Sequence, residues 1–146
     1  MKNDRVILLV EDNPIDIELT KRALSKKNIL NEVIVVEDGK MALDYLLGRG
    51  EFANRDTFQM PTVILLDLKM PKVSGLEVMQ QIRSDLRTKR IPVVILTSSQ
   101  EEEDLAIAYD LGVNSYIRKP VDFIEFAEVI AHLGYYWLEL NEPAPK

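Results

Sequence analysis

Uninterrupted runs of aliphatic, mostly β-branched residues recur along the chain at Val6–Val10, Val33–Val36, Val63–Leu66 and Val93–Leu96. A shorter, more mixed run surrounds Tyr116-Ile117. A strand with one wet face alternates apolar and polar residues, so runs without polar interruption predict strands covered on both faces. The mixed fifth run predicts an edge strand. Between the runs the apolar spacing becomes helical, and each such stretch has a start signal. Asn13-Pro14 supplies an N-cap and an N1 proline ahead of Ile15, Leu19, Ala23 and Leu24. Asp38-Gly39 precedes Met41, Ala42, Tyr45 and Leu46, and Ser74 with Glu77 makes a capping box before Leu76, Met79, Ile82 and Leu86. Ser99 with Glu102 repeats that box before Leu105, Ala108, Tyr109 and Leu111, where Gly112 marks the stop. Asp122 with Glu125 opens a last helix carrying Phe126, Val129, Ile130 and Leu133.

Strand and helix therefore alternate five times. Such alternation predicts an α/β protein: a doubly wound parallel five-stranded sheet in a single domain, with right-handed crossovers placing helices on both faces. The one irregular connection runs from about Gly48 to Pro61 and is longer than most loops. It reads as a tolerated surface insertion, or alternatively as a partner contact.

The chemistry collects where the runs end. Val6–Val10 leads into Glu11-Asp12, Val63–Leu66 into Asp67, Val93–Leu96 into Thr97, and Tyr116-Ile117 through Arg118 to Lys119-Pro120. Neighbouring parallel strands would bring all these groups to one carboxyl edge, where open α/β sheets bind their ligands. Two carboxylates about 4 Å apart repel by roughly 4 kcal/mol at an effective dielectric near 20, so three of them take up protons or bind a cation. Oxygen donors without His or Cys select a hard ion, Mg²⁺ or Mn²⁺. A metal alone does not account for Thr97 and Lys119. A phosphoryl group on a carboxylate, with a charge of about −1.5 to −2, does: it calls for a hydroxyl donor and an ammonium as well.

Composition narrows the picture further. The 146 residues suit one domain with one substantial core. A net charge of −6 argues against a nucleic-acid surface. With no cysteine there is no disulfide, thiolate metal site or cysteine nucleophile. Neither a signal peptide nor a membrane span is visible, so a soluble, cytoplasmic protein is expected.

The pattern resembles the response-regulator receiver domain, the CheY-like family with a flavodoxin-like (βα)5 fold. The matching pieces are Glu11-Asp12, Asp67-Leu68-Lys69-Met70-Pro71 with Gly75, Thr97-Ser98 and Lys119-Pro120, over about residues 4–138. The resemblance implies that Asp67 is the phosphoacceptor. It implies that Asp12, Asp67 and the backbone carbonyl of Lys69 bind Mg²⁺, with Glu11 acting largely through water. Thr97 and Lys119 would grip the phosphoryl group, Tyr116 would be a switch aromatic coupled to Thr97, and the Lys119-Pro120 bond would be cis. A sensor histidine kinase would be the donor. Output would be protein–protein contact or onward transfer to a histidine phosphotransfer protein, because residues 139–146 form only a short tail with no output domain. The long segment before the third strand and the aromatic tail Tyr135-Tyr136-Trp137-Leu138 are similar to stand-alone regulators paired with phytochrome-type kinases, some of which form homodimers.

Each assignment has a plainer alternative. Asp67 alone is a turn residue, Lys119 alone a solvated lysine, and Glu11-Asp12 a capping pair, a role compatible with metal binding. Glu101–Asp104 reads as favourable helix-dipole charge, and His132 as structural. Lys69 and Ser99 flank the pocket and would tune the lifetime of a phosphoaspartate. Three competing functions fit the residues less well. A haloacid-dehalogenase-type phosphatase needs an acid where Lys69 stands. A flavin binder would meet repulsion at Glu-Asp-Asn-Pro-Ile-Asp. A degenerate scaffold would lack a member of the constellation, and none is missing.

Overall fold

The computed structural model describes residues 4–145. Five parallel strands, β1 (Ile7–Val10), β2 (Val33–Val36), β3 (Val63–Leu66), β4 (Val93–Thr97) and β5 (Ser115–Arg118), form one sheet in the order β2-β1-β3-β4-β5. The helices between and after them are α1 (Pro14–Lys26), α2 (Gly39–Leu47), α3 (Gly75–Ser84), α4 (Glu102–Asp110) and α5 (Phe123–Tyr135). This is the flavodoxin-like (βα)5 arrangement. The three central strands are buried at every position, whereas β2 and β5, at the edges, are partly exposed. Burial of the inner strands fits their uninterrupted runs, but Val33–Val36 is equally uninterrupted and lies at an edge, partly exposed, which corrects the expectation that it is covered on both faces.

Alternate residues of each strand feed two cores. Ile7, Leu9, Leu65 and Leu96 face a layer with Ala23 and Leu24 of α1 and Phe126 and Ile130 of α5. Leu8, Val10, Ile64, Leu66 and Ile95 face the opposite layer with Ala42, Leu46, Val78, Met79, Ile82 and Ala108. α1 and α5 thus share one side of the sheet, and α2, α3 and α4 the other.

Caps fix where the helices begin. Asn13 accepts hydrogen bonds from the amides of Ile15 and Asp16, Asp38 from Met41, Ser74 from Glu77, and Asp122 from Ile124. α4 differs from expectation. Its N-cap is Glu101, which makes no side-chain cap, while the Ser99 hydroxyl donates to Asp104 at 2.7 Å and accepts from the Glu101 amide at 3.3 Å. Gly112 ends that helix with a φ of 86°, a left-handed conformation that favours glycine. Beyond α5 the chain continues as a π-helical turn, Tyr136–Leu140. It buries Trp137 and Leu138 and leaves Tyr135 and Tyr136 about half exposed, so the three consecutive aromatics do split between core and surface.

Candidate functional site

Sheet order reverses between β1 and β3, and the crevice outside their carboxyl ends is where this architecture places ligands. Val10 lies opposite Leu66, so Glu11 and Asp67 leave the sheet side by side. One ligand oxygen from each of Glu11, Asp12 and Asp67 lies within 4.8 Å of the others. Glu11 and Asp67 are buried, while Asp12 faces solvent. The turn that carries the pair also starts α1: the Asn13 amide donates to Glu11 Oε2 at 3.2 Å, and the Asn13 side chain caps the helix.

Lys119, one residue past β5, reaches across to these acids. Its Nζ lies 2.6 Å from Glu11 Oε1, 2.8 Å from Asp16 Oδ2 and 3.2 Å from Asp67 Oδ2, which uses all three ammonium donors. Burial disfavours the charged lysine. The hydrogen bonds to Asp16 and Glu11 outweigh that penalty and hold the ammonium above the usual lysine range. Burial likewise pushes the Glu11 carboxyl up to about 7, even though Lys119 pulls the other way. Asp16 was not among the residues anticipated from sequence. It stands in the first turn of α1, where an acid is ordinarily read as helix-dipole charge. Its partner lies 103 residues away, so only the tertiary fold reveals the contact.

Thr97 closes β4 and is fully buried; its hydroxyl accepts from the Ser99 amide at 3.2 Å. The Lys119 amide donates to the Thr97 carbonyl at 2.7 Å, which ties the two residues together. The Lys119-Pro120 bond is trans, which corrects the cis expectation: no cis peptide occurs among the described residues. A trans bond is the lower-energy isomer even before proline, and from it Lys119 already makes its backbone bond and three carboxylate contacts.

The β3–α3 loop is pinned from both sides. The Lys69 amide donates to Asp67 Oδ1 at 3.2 Å, while its ammonium turns away to Glu101 (3.6 Å) and Asp104 (3.8 Å). On the opposite side Lys72 lies 3.4 Å from Asp38. A Cβ on Gly75 would sit 2.5 Å from the Asp67 carbonyl, so only glycine lets α3 start this close to the acid. Tyr116, on β5, has a buried hydroxyl without a well-formed hydrogen bond, and the Ser99 hydroxyl near it donates to Asp104 instead.

Three carboxylates at this spacing, two of them buried, suit a hard divalent cation. Of the residues anticipated from sequence, Glu11, Asp12, Asp67 and Lys119 come together directly. Thr97 joins them through the backbone of Lys119, while Tyr116 shares the face of the sheet that carries Ile95.

The response regulator receiver domain family model matches residues 7–131, and the chain belongs to that family. Response regulator Rcp1 of Synechocystis sp. is 38% identical over 135 residues, 92% of this chain and 90% of Rcp1. The crystal structure of its Mn²⁺-bound form superposes with a TM-score of 0.89 at 37% identity, covering 97% of this chain and 99% of that one. The phosphorylated cyanobacterial phytochrome response regulator RcpA superposes at 0.90 with 40% identity over 97% and 99% of the two chains. The bacteriophytochrome response regulator RtBRR is 56% identical over 97% of this chain and 85% of its own, with a TM-score of 0.76. The protein is thus a signalling receiver close to the phytochrome response regulators. Its acidic cluster is a receiver-type site for Mg²⁺ or Mn²⁺. Among the described residues no helix is long and apolar enough to cross a membrane.

Proposed function

We propose that this chain accepts a phosphoryl group from a sensor histidine kinase on Asp67. One observation carries the reading: the buried Asp67 carboxylate meets the Lys119 ammonium and the Glu11-Asp12 pair at the switch point of the sheet. An Asp67 oxygen attacks the phosphorus of a phosphohistidine. The P–N bond breaks, its electron pair stays on the imidazole nitrogen, which takes up a proton, and a P–O bond forms an acyl phosphate. Lys119 and the Thr97 hydroxyl hold the phosphoryl oxygens. Asp12, Asp67 and the Lys69 backbone carbonyl would hold Mg²⁺, with Glu11 acting through water; the ion supplies positive charge where the phosphoryl oxygens gather.

The receiver unit spans residues 4–138, followed by the 139–146 tail. Tyr116 reads the state of Thr97. Its buried hydroxyl lacks a good partner, and such a group costs about 1–3 kcal/mol, which lowers the cost of turning the ring outward. A phytochrome-type kinase is the favoured donor, and the cytoplasm the compartment where such a kinase would meet its regulator. Output passes through a protein contact, a homodimer or a histidine phosphotransfer partner at the α4–β5–α5 face. The test is incubation with acetyl phosphate and Mg²⁺ followed by intact-mass measurement. The wild-type chain gains one phosphoryl group and Asp67→Asn gains none; equal gain by both refutes the acceptor assignment.

A further inference from the structure

Among the partners of Lys119, Asp16 stands apart. Glu11 and Asp67 belong to the carboxylate group that can share one cation; Asp16 is outside that group, yet its Oδ2 lies 2.8 Å from Nζ, closer than Asp67 at 3.2 Å. Its side chain is about one-fifth exposed, and its own carbonyl is taken by the Thr20 hydroxyl at 2.7 Å, which fixes the first turn of α1 beneath it. Resting on the acceptor assignment above, we propose that Asp16 is a positioning residue that acts through Lys119, sharing its ammonium and limiting how much of that charge the phosphoryl group receives.

The reasoning is electrostatic. Once a cation engages Glu11, Asp12 and Asp67, and Asp67 carries a phosphoryl group, Asp16 is the carboxylate that Lys119 keeps. It neutralises part of the ammonium charge and adds a negative charge of its own to the site. Removing the Asp16 charge therefore strengthens the pull on an anion and weakens the pull on a divalent cation. These opposite signs distinguish positioning from simple damage to the fold, which would weaken both.

The experiment compares wild type, Asp16→Asn and Asp16→Glu for Mg²⁺ affinity by calorimetry, beryllofluoride affinity at saturating Mg²⁺, and acetyl-phosphate labelling of Asp67 by intact mass. Asp16→Asn binds beryllofluoride about three- to tenfold more tightly and Mg²⁺ weaker by a similar factor, the scale of one partly screened charge. Its labelling at low acetyl phosphate accelerates accordingly, and Asp16→Glu restores wild-type behaviour. Equal affinities in wild type and Asp16→Asn, or weakening of both ligands together, overturn the charge-sharing role while leaving the acceptor assignment intact. A wild-type chain that takes up no phosphoryl group on Asp67 removes both.

Discussion

The surroundings of Glu11 oppose its ionisation. The end of β1 buries it, and burial raises its carboxyl from about 4.5 to about 7, with Asp67 adding to the effect and Lys119 opposing it. The consequence for stability has a definite sign. A group whose folded pKa lies above its unfolded value contributes stability that is complete below about pH 4.5 and is lost as pH rises through about 7. The cation-free protein should therefore lose up to about 3 kcal/mol of unfolding free energy between acidic and mildly alkaline pH. Denaturant titrations in chelator across that window check it. Glu11→Gln keeps an acceptor for Lys119 but has no charge to lose, so its profile should be flatter, and the difference between the two proteins cancels every other titrating group. Parallel profiles would show that the Glu11 charge is not the source. Excess Mg²⁺ should abolish most of the wild-type decline, because a cation in the cluster compensates the charge that burial opposes.

At the scale of elements, Arg55 ties the insertion between α2 and β3 back to α2, alongside its own backbone hydrogen bonds and the packing of Phe52 on Tyr45. Arg55 donates from Nε to the Tyr45 carbonyl at 2.6 Å and from Nη1 to the carbonyls of Asp56 (3.2 Å) and Gln59 (2.7 Å). Its guanidinium also lies 4.1 Å from the centre of the Tyr45 ring. Arg55→Ala should cost about 2 kcal/mol, since several carbonyls and a ring lose a charged donor together. Hydrogen exchange should rise within residues 48–61 while Asp67 labelling stays unchanged, because the segment lies away from the acidic edge. Unaltered exchange would mean that the backbone holds the segment unaided. This element also shows what sequence could and could not convey. Strand runs, helix caps and the convergence of Glu11, Asp12, Asp67 and Lys119 follow from local rules of periodicity and strand-end placement. The stapling by Arg55, the diversion of Ser99 to Asp104 and the Asp16 contact depend on which side chains tertiary packing brings together. The isomer at Lys119-Pro120 likewise rests on backbone context, which the dipeptide alone does not carry.

Over the whole molecule, several exposed apolar side chains lie on α4, on α5 and on the short link that leads into α5. Ile107 and Tyr109 on α4, Val121 before α5, Phe123 and Ile124 in its first turn, and Tyr135 at its end are all accessible. A groove of about 580 Å³ runs between β5 and α5, lined by Ile117, Val129, His132, Leu133 and Tyr136 among others. An apolar face of this extent on a chain of net charge −6 suits association of two copies across α4–β5–α5, opposed at long range by like charge. Trp137 is a poor reporter of such a contact: it is buried within one chain, and its truncation to Ala should cost about 3–5 kcal/mol of folding stability regardless of association. Phe123 (65% exposed) and Tyr135 (54% exposed) are better placed. Sedimentation of the wild-type chain should show a dimer, and the double variant Phe123→Ser, Tyr135→Ser should weaken association at least tenfold, about 1.4 kcal/mol, with little change in melting temperature. Because like charges oppose the encounter, association should strengthen as salt rises from about 50 mM to about 500 mM, where screening shortens from roughly 13 Å to about 4 Å. Equal sedimentation of the two proteins at every salt concentration would show that this face is open to a different partner.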